Sequence, residues 1–356
     1  MKCMVLEEFN APLVPRERDI PAPGAEDVLL KVGACGMCRT DLKVWSGMHP
    51  AVKKLPRVLG HEVAGEVVEV GKSCDRQLVG KHAVVYFYLS CGECGFCRSG
   101  REMFCTHLKG QIGFSLDGGY AEYVTVPASS LFLIPADIPF EEAAIITDAV
   151  ATPYRALTSK VRIQPEQTLA VIGAGGLGLH AIQIARAFGA RVTAVDISEK
   201  ALSKAKEVGA EKTFQITNDA PTNDILKLSG GDGFDAVMDF VGKPAIQELG
   251  LTLLKVAGKF VAVGYNLVDP FQVHSLLLVS RELEIYGSRA CGRKDLKETI
   301  DLVSSGKVKP VVVESYPLGD ANVALRKLDQ GDLVGRSVLV PGKIPGLVQG
   351  KGTKGK

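Results

Sequence analysis

The sequence predicts an α/β fold of two units, a β-rich unit followed by a doubly wound parallel sheet. The chain has 356 residues, a length typical of about two domains that each bury a core. Short β-type segments fill roughly the first 150 residues, and strand-like and helix-like segments alternate from residue 169 to about residue 287. Such alternation is typical of a parallel sheet covered by helices on both faces.

Turn residues divide the first unit into short strands. Apolar and β-branched segments bounded by proline and glycine predict strands. The segments with this pattern are 28–32, 65–70, 82–88 and 120–126, and the breaks include Pro21, Pro23, Gly24, Gly71 and Gly80. We therefore expect an all-β, loop-rich first unit.

The second unit alternates strands with helices. We predict strands at 169–172, 192–195, 236–240, 260–263 and 283–286, helices at 181–188 and 200–208, and one more strand at 334–340. Residues 342–356 are rich in glycine and lysine and offer little apolar surface to offset the entropy of ordering. We expect them to form a flexible tail.

Charge and cysteine content exclude several classes of protein. The net charge is +2 and the pI is about 8.0, with basic residues dispersed along the chain, so no nucleic-acid partner is expected. Apolar runs end well before the ~18 residues that a membrane span needs, so no membrane partner is expected. The nine cysteines have metal-type spacing and follow no apolar signal stretch, which predicts a cytoplasmic protein.

Four cysteines form the strongest local signal. Cys91, Cys94, Cys97 and Cys105 follow a C-x2-C-x2-C-x7-C spacing, and four thiolates this close in one loop can bind a single tetrahedral zinc as a closed, structural site. A disulfide cluster is the alternative interpretation. The odd number of cysteines and the lack of a secretion signal disfavour it.

A second, incomplete set of zinc ligands lies upstream. Cys38 and the run Gly60-His61-Glu62 supply a thiol, an imidazole and a carboxylate, and a zinc site that lacks a fourth protein ligand can bind substrate. Cys35 and Cys38 also read as a C-x-x-C dithiol of the thioredoxin type, but the strand–helix context of that motif is missing around them.

A phosphate-binding fingerprint opens the second unit. It lies between a predicted strand and a predicted helix and reads Gly173-Ala174-Gly175-Gly176-Leu177-Gly178. The glycines permit a tight turn, close approach to a pyrophosphate and close helix–strand packing, and the helix N-terminus offers free N–H groups. Asp196 ends the next strand, where a carboxylate accepts the ribose hydroxyls and repels a 2′-phosphate. We therefore predict that NAD is favoured over NADP.

In their order along the chain, these features resemble the zinc-containing, medium-chain alcohol dehydrogenases over about residues 1–341. The shared motifs are Cys38-Arg39-Thr40-Asp41, Gly60-His61-Glu62 followed by Gly65 and Gly71, the four-cysteine lobe and the glycine fingerprint. The resemblance implies a GroES-like catalytic domain at 1–150 with a zinc lobe at about 90–108, a Rossmann NAD-binding domain at 151–287 and a return to the catalytic domain at 288–341. It also implies two zinc ions per chain, one catalytic and one structural. We expect a homodimer or homotetramer.

The resemblance assigns roles to individual residues. Cys38 and His61 resemble catalytic zinc ligands, and Glu62 resembles the nearby carboxylate that binds zinc transiently or through water. Asp41 resembles the acceptor that orients His61, which must present one fixed nitrogen to the metal. Thr40 resembles the hydroxyl that takes the substrate proton, although a turn or capping role is an alternative.

Two arginines resemble those that clamp the coenzyme pyrophosphate. They are Arg39 and Arg336, and solvated surface charge is the alternative for both.

Two positions depart from the commoner family pattern. Where most relatives have a third cysteine ligand, this chain has Asp148, so the zinc would keep Cys38, His61, Asp148 and an open position. The alternative is that Asp148 only ends a helix and that Glu62 completes the site.

The second departure concerns proton transfer. Lys43 replaces a relay histidine, so either Lys43 with a lowered pKa substitutes or protons leave through Thr40 and the ribose. His49 is a further relay candidate, with an exposed loop position as the default expectation.

The implied reaction is hydride transfer between an alcohol, primary or secondary, or its carbonyl, and NAD. The alcohol would be activated as a zinc alkoxide. A hydroxylated alicyclic acyl-CoA thioester is an alternative substrate, suggested by residues 147–154 and by Lys53, Lys54 and Arg57, and a polyol is another. A non-catalytic NAD-binding regulator is the alternative from another class, which the presence of the catalytic ligands disfavours.

Overall fold

The computed structural model describes residues 1–52, 54–217 and 222–342. The predicted flexible tail, apart from its first residue, lies outside the described residues. In the described part of the chain, no helix combines the length and the apolar character required to cross a membrane.

Eighteen strands are present in the described ranges. They are β1 Lys2–Leu6, β2 Val14–Glu17, β3 Asp27–Met37, β4 Arg57–Val58, β5 Glu62–Val70, β6 His82–Val85, β7 Tyr88–Leu89, β8 Gly110–Gln111, β9 Tyr123–Pro127, β10 Leu131–Leu133, β11 Thr168–Ile172, β12 Arg191–Asp196, β13 Lys212–Gln215, β14 Phe234–Asp239, β15 Leu254–Ala262, β16 Glu284–Gly287, β17 Val312–Pro317 and β18 Arg336–Val340.

The α-helices lie mostly in the second half of the chain. They are α1 Arg39–Trp45, α2 Gly95–Arg98, α3 Phe140–Ala144, α4 Ala151–Arg155, α5 Gly178–Ala187, α6 Glu199–Glu207, α7 Thr222–Leu228, α8 Pro244–Thr252, α9 Ser275–Ser280, α10 Arg293–Ser304 and α11 Ala321–Gln330. Short 3-10 turns lie at Arg76–Leu78, Glu102–Phe104, Ala128–Ser130, Ile145–Thr147 and Leu318–Asp320, and α4 continues into a π-helical turn at Ala156–Val161.

The second unit is a six-stranded sheet in the order β13-β12-β11-β14-β15-β16, and every neighbouring pair is parallel. The order runs outward in both directions from β11, which is the arrangement of a doubly wound sheet. The predicted α/β class is therefore confirmed. The carboxyl end of β11 and the phosphate fingerprint meet at the point where the order reverses, which is the usual ligand crevice of such sheets.

The first unit centres on a mainly antiparallel sheet in the order β10-β6-β5-β3-β18-β17, with β9 also paired to β3. Strand β3 pairs with β5 on one side and with β18, from the end of the chain, on the other. The last described strand therefore returns to the sheet of the first unit. The division at residues 150 and 287 stays a prediction.

The sequence patterns missed several elements for an identifiable reason. All five residues of α4 are buried, so the segment lacks the one-sided apolar period that marks a surface helix. The predicted strand at 82–88 is two short strands, β6 and β7, and the predicted strand at 120–126 begins only at Tyr123. Sheet β2-β1-β4 was not predicted.

Candidate active site

Three neighbouring strand ends bring the predicted catalytic residues together. Glu62 begins β5 and is opposite Gly36, Cys38 follows the end of β3, and Arg336 begins β18 next to Ser337, which is opposite Met37. Residues distant in sequence therefore converge because β5, β3 and β18 are adjacent in one sheet. Asp148 enters from the 3-10 turn that precedes α4.

Four of the converging side chains form a metal-type cluster. Cys38, His61, Glu62 and Asp148 each place one ligand atom within 4.8 Å of the others. Cys38 Sγ lies 3.4 Å from Asp148 Oδ2, and His61 Nε2 lies 3.8 Å from the same oxygen. Ligand atoms around a tetrahedral zinc are separated by about 3.3–3.8 Å, the longer distances belonging to pairs with sulfur. The cluster therefore has the size and the donor types that zinc requires.

The orientation of His61 is fixed by buried neighbours. Its Nδ1 lies 3.2 Å from Asp41 Oδ1, and the other carboxylate oxygen of Asp41 accepts hydrogen bonds from the Cys38 backbone N–H at 2.8 Å and the Tyr120 hydroxyl at 3.0 Å. Because an ionised carboxylate only accepts hydrogen bonds, the proton must lie on Nδ1. Nε2 is thereby left with a lone pair for a metal.

Asp148 is oriented by a residue that the sequence analysis missed. Thr152 donates its hydroxyl to Asp148 Oδ1 at 2.7 Å, which leaves Oδ2 facing Cys38 and His61. Asp148 and Thr152 are four positions apart at the start of a helix, and this spacing could have indicated their contact from the sequence. Tyr120 was also missed, and it lies 79 positions from Asp41, so no local pattern indicates it.

Arg336 joins the cluster to the second unit. Its Nη2 donates to Glu62 Oε1 at 2.7 Å and to Asp148 Oδ2 at 2.8 Å. A Cβ placed on Gly176 would lie 2.9 Å from Arg336 Nη1, so the guanidinium contacts the phosphate fingerprint as well. Burial raises the pKa of Glu62 to about 8, and the charge of Arg336 opposes this shift.

The proton-transfer candidates lie beside the cluster. Thr40 Oγ1 is 3.4 Å from Cys38 Sγ. The Lys43 amine lies 3.1 Å from the Tyr265 ring centroid, and burial lowers the pKa of Lys43 to about 8. The default expectation of an exposed His49 is wrong, because its ring is half-buried against Phe114 with centroids 4.8 Å apart. Packing of the His49 ring against Phe114 stabilises the half-buried position more than exposure to solvent would. Burial lowers the pKa of His49 to about 4.

The four-cysteine lobe has the dimensions of a zinc site. Cys94 Sγ lies 3.5 Å from Cys97 Sγ and 3.9 Å from Cys105 Sγ, and Cys91 Sγ lies 3.8 Å from Cys97 Sγ. The edge of a zinc–sulfur tetrahedron with 2.3 Å bonds is about 3.8 Å. All nine cysteines are free thiols, so the disulfide alternative is wrong.

The thioredoxin-type alternative also fails on the environment of Cys35. That thiol is fully buried, and burial raises its pKa well above the ordinary value. Redox-active thiols require the opposite shift, toward the thiolate.

The phosphate fingerprint has the geometry that each glycine predicts. Gly173 has φ +93°, and a Cβ on Gly178 would lie 1.9 Å from the Gly173 carbonyl oxygen, so neither position accepts a side chain without strain. A Cβ on Gly175 would meet open space, and Leu177 directly precedes α5. Asp196 accepts the Ala174 backbone N–H at 2.7 Å, which places its carboxylate at the loop.

The two arginine predictions differ in their surroundings. Arg336 lies between the metal-type cluster and the loop, whereas Arg39 is exposed at the first position of α1. The structure gives no contact between Arg39 and the fingerprint.

Comparison with known proteins identifies the same features. Residues 24–136 match the alcohol dehydrogenase GroES-like domain, and residues 176–305 match the zinc-binding dehydrogenase family. The chain is 35% identical over 347 residues to the NAD-dependent alcohol dehydrogenase of Sulfolobus acidocaldarius, covering 95% of this chain and 99% of the relative. It is 32% identical over 327 residues to the acryloyl-coenzyme A reductase of Sulfurisphaera tokodaii, covering 90% and 94%.

A solved structure gives the same result. The alcohol dehydrogenase of the hyperthermophilic archaeon Aeropyrum pernix superimposes with a TM-score of 0.89 at 32% identity, covering 96% of this chain and 100% of that chain.

Proposed function

The chain belongs to the zinc-containing, medium-chain alcohol dehydrogenase family, and from this premise we propose that Cys38, His61 and Asp148 form its catalytic zinc site for NAD-dependent alcohol oxidation. The observation that carries the proposal is the buried cluster of four ligand atoms within 4.8 Å. When bound, the zinc supplies a Lewis acid for the alcohol oxygen, and NAD supplies the hydride acceptor.

Asp148 is the better third ligand on geometric grounds. Its Oδ1 is held by Thr152, so Oδ2 has a fixed direction toward Cys38 and His61. Arg336 donates to both carboxylates, to Glu62 Oε1 at 2.7 and 3.1 Å and to Asp148 Oδ2 at 2.8 Å, so the Thr152 hydroxyl is the contact that distinguishes Asp148. One thiolate and one carboxylate also balance the charge of Zn²⁺, and the oxygen donor makes the metal a harder Lewis acid than a second thiolate would.

Glu62 then has a supporting role. Its Oε2 is buried and has no hydrogen-bond partner among the described residues, so it remains able to approach the metal when ligands exchange. Its other oxygen anchors Arg336 beside the coenzyme loop. The carboxylate thus supports both the metal site and the pyrophosphate-binding arginine.

Thr40 is positioned to accept the proton of the substrate hydroxyl. Its Oγ1 lies beside the Cys38 thiol at 3.4 Å, and the half-buried Lys43 amine follows one helical turn later in α1. An amine with a pKa of about 8 can exchange a proton near neutral pH. We therefore propose a proton path from the substrate through Thr40, with Lys43 as the base nearer to solvent.

The substrate side of the cluster is aromatic. The His61 ring lies 4.7 Å from the Phe114 ring and 5.2 Å from the Phe87 ring, measured between centroids. Such walls favour the apolar carbon skeleton of an alcohol over a heavily hydroxylated polyol.

An acyl-CoA thioester is a second candidate substrate class. The Sulfurisphaera tokodaii relative is an acryloyl-coenzyme A reductase. The basic cluster suggested by the sequence gives limited support, because Lys53 lies outside the described residues and Arg57 is already paired with Asp117 at 3.2 Å.

We also propose an oligomer, a homodimer or homotetramer, in a reducing cytoplasm. Strand β16 is an edge of the parallel sheet. Val256 of the adjacent strand β15 is 63% exposed, and Leu276 and Val279 of the preceding helix α9 are 66% and 73% exposed. Exposed apolar side chains beside an open edge are typical of a subunit interface. Nine cysteines without a disulfide are typical of a reducing compartment. Light scattering on the purified protein measures the oligomeric state.

A substrate screen tests the proposed function. Purified protein is assayed for NADH formation with simple alcohols, polyols and hydroxyacyl-CoA thioesters, and with NADP in place of NAD, while zinc content is measured in parallel. We expect two zinc ions per chain, a preference for NAD and turnover that Thr40→Val lowers by roughly 100-fold or more, with Thr125→Val as a control in β9. A preparation with two zinc ions that oxidises none of these substrates would contradict the proposal.

A further inference from the structure

Arg289 is an exposed cation directly beyond the carboxyl end of β16. Its Nη2 donates to the Met103 carbonyl at 2.5 Å, and its Cζ lies 5.1 Å from the Phe104 ring centroid and 5.9 Å from the Tyr88 ring centroid. The described residues include no carboxylate in an ion pair with Arg289. The guanidinium is therefore held in place by a carbonyl and aromatic rings, with its charge uncompensated.

A chain of ring contacts connects Arg289 to the candidate active site. The Tyr88 ring lies 4.6 Å from the Phe87 ring, which lies 5.2 Å from the His61 ring. Burial raises the pKa of Tyr88 to about 12, and the charge of Arg289 opposes this shift. The positive field of Arg289 therefore extends into the aromatic wall of the active site.

A cavity of about 520 Å³ adjoins Arg289 on the side of the four-cysteine lobe. Its apolar lining is formed by Phe96, Met103, Phe104 and Leu108, Cys105 of the four-cysteine lobe also lines it, and no aspartate or glutamate among the described residues does. Arg101 is the second cation on its wall, and Arg101 also has no ion-pair partner within the described ranges. Its Cζ lies 5.1 Å from the Phe96 ring centroid.

Two unpaired guanidinium groups beside an apolar lining favour an anionic organic ligand. A guanidinium binds carboxylate or phosphate through paired, charge-assisted hydrogen bonds. The apolar lining also accommodates a carbon chain beside the anionic group.

We propose that Arg289, assisted by Arg101, binds a carboxylate or phosphate group at the end of the substrate remote from the reacting hydroxyl. This inference rests on the proposed alcohol oxidation at Cys38, His61 and Asp148. Arg289 acts as a specificity-determining residue. Its charge selects alcohols that carry an anion.

The test compares three matched substrates that each end in a primary hydroxyl, namely hydroxyhexanoate, hydroxyhexyl phosphate and hexanediol. Initial rates are measured by NADH absorbance for the wild type and for Arg289→Gln, Arg289→Lys and Arg101→Gln. Arg98→Gln is the matched control, because Arg98 is an exposed arginine of the same lobe that does not line the cavity. Zinc content and circular dichroism of every variant are measured first.

In the wild type we expect kcat/KM for the anionic substrates to exceed that for hexanediol by roughly tenfold or more, since a charge-assisted pair is replaced by a neutral hydroxyl. Arg289→Gln should bring this ratio near one, chiefly by lowering kcat/KM for the two anionic substrates. Arg289→Lys should keep part of the preference, and higher salt should weaken it. The two anionic substrates distinguish a carboxylate from a phosphate ligand.

Calorimetry with hexanoate and hexyl phosphate separates this inference from the proposed function. If no alcohol is oxidised but either anion binds the wild type and not Arg289→Gln, the anion site stands and the proposed reaction fails. If alcohols are oxidised and the ratio is the same in the wild type and Arg289→Gln, the anion site is refuted. Arg289→Gln could also change the oligomeric state without changing the ratio of kcat/KM between anionic substrates and hexanediol. That result would assign the cavity to a subunit contact and would also refute the anion site.

Discussion

At the scale of single residues, the identity of the third zinc ligand decides the chemistry of the site. Asp148 and Glu62 are both close enough to contribute an oxygen. Arg336 donates to both carboxylates, and their partners differ because Thr152 orients Asp148 alone. Residue type alone could not separate them, since both are carboxylates.

Replacement of each carboxylate distinguishes the two assignments. Asp148→Ala should weaken the catalytic zinc by roughly 100-fold or more, since loss even of a residue that only orients a ligand costs about 10–100-fold, while the four-cysteine zinc stays bound. Glu62→Gln should retain both zinc ions. Zinc content after dialysis against a graded series of chelator concentrations measures this, and loss of zinc from Glu62→Gln but not from Asp148→Ala would reverse the assignment.

At the scale of elements, α5 is joined to the last part of the chain through His180. The His180 ring is fully buried, its Nδ1 lies 2.6 Å from the Gly176 carbonyl and its Nε2 accepts the Val311 backbone N–H at 2.9 Å. Because Nε2 accepts, Nδ1 must carry the proton and donate. The neutral ring therefore links the phosphate fingerprint to the segment that leads to β17.

The burial of His180 predicts a pH-dependent stability. Burial lowers the pKa of His180 from 6.5 to about 4, so between these pH values the unfolded state binds more protons than the folded state. Stability should consequently fall as pH drops from about 6.5 to 4, by up to about 3 kcal/mol from this residue. His180→Gln should be less stable at pH 7 by about 1–3 kcal/mol but show a smaller loss over that range.

Urea unfolding at pH 7, 6, 5 and 4 measures the effect. The exposed His274, which caps α9, gives a control when replaced by Asn, a residue that also caps helices. If the free energy of unfolding of His180→Gln falls with decreasing pH as steeply as that of the wild type, the His180 ring is not the cause of the pH dependence.

The four-cysteine lobe is a second element whose stability depends on a few contacts. Cys105→Ser should reduce the zinc content from two ions per chain to one and lower the melting temperature, because three thiolates and a hydroxyl bind zinc less tightly. Cys74→Ser is the matched control, since Cys74 is half-buried and lies outside both clusters. Two zinc ions and an unaltered melting temperature in Cys105→Ser would contradict a structural zinc.

At the scale of the whole molecule, Arg336 connects the two units. Its side chain is 4% exposed and pairs with Glu62 and Asp148 while it contacts Gly176 of the fingerprint. A buried charge left without its partner typically costs 3–5 kcal/mol. The same guanidinium therefore joins the buried carboxylates to the glycine loop, and we propose that it positions this loop for the coenzyme.

Arg336→Met should destabilise the protein by about 3–5 kcal/mol and weaken NAD binding. The double variant Glu62→Gln, Arg336→Met should lose less stability than the sum of the single variants, because the neutral amide needs no counter-charge. Urea unfolding and NAD titration measure both effects, with the exposed Arg326→Met on α11 as control. If the stability loss of the double variant equals the sum of the losses of the single variants, Glu62 and Arg336 are not directly coupled.

The sequence by itself determined the α/β class and the positions of the four-cysteine lobe and the glycine loop, and it predicts the preference for NAD. These features depend on local spacing: ligands a few residues apart, glycines at fixed positions of a turn, and an alternation of strands and helices. Tertiary structure decided which distant residues meet, namely Tyr120 with Asp41, Thr152 as the partner of Asp148, and Arg336 between Glu62 and the loop. Strand pairing and burial set those contacts, and their free energies depend on neighbours that no local pattern records.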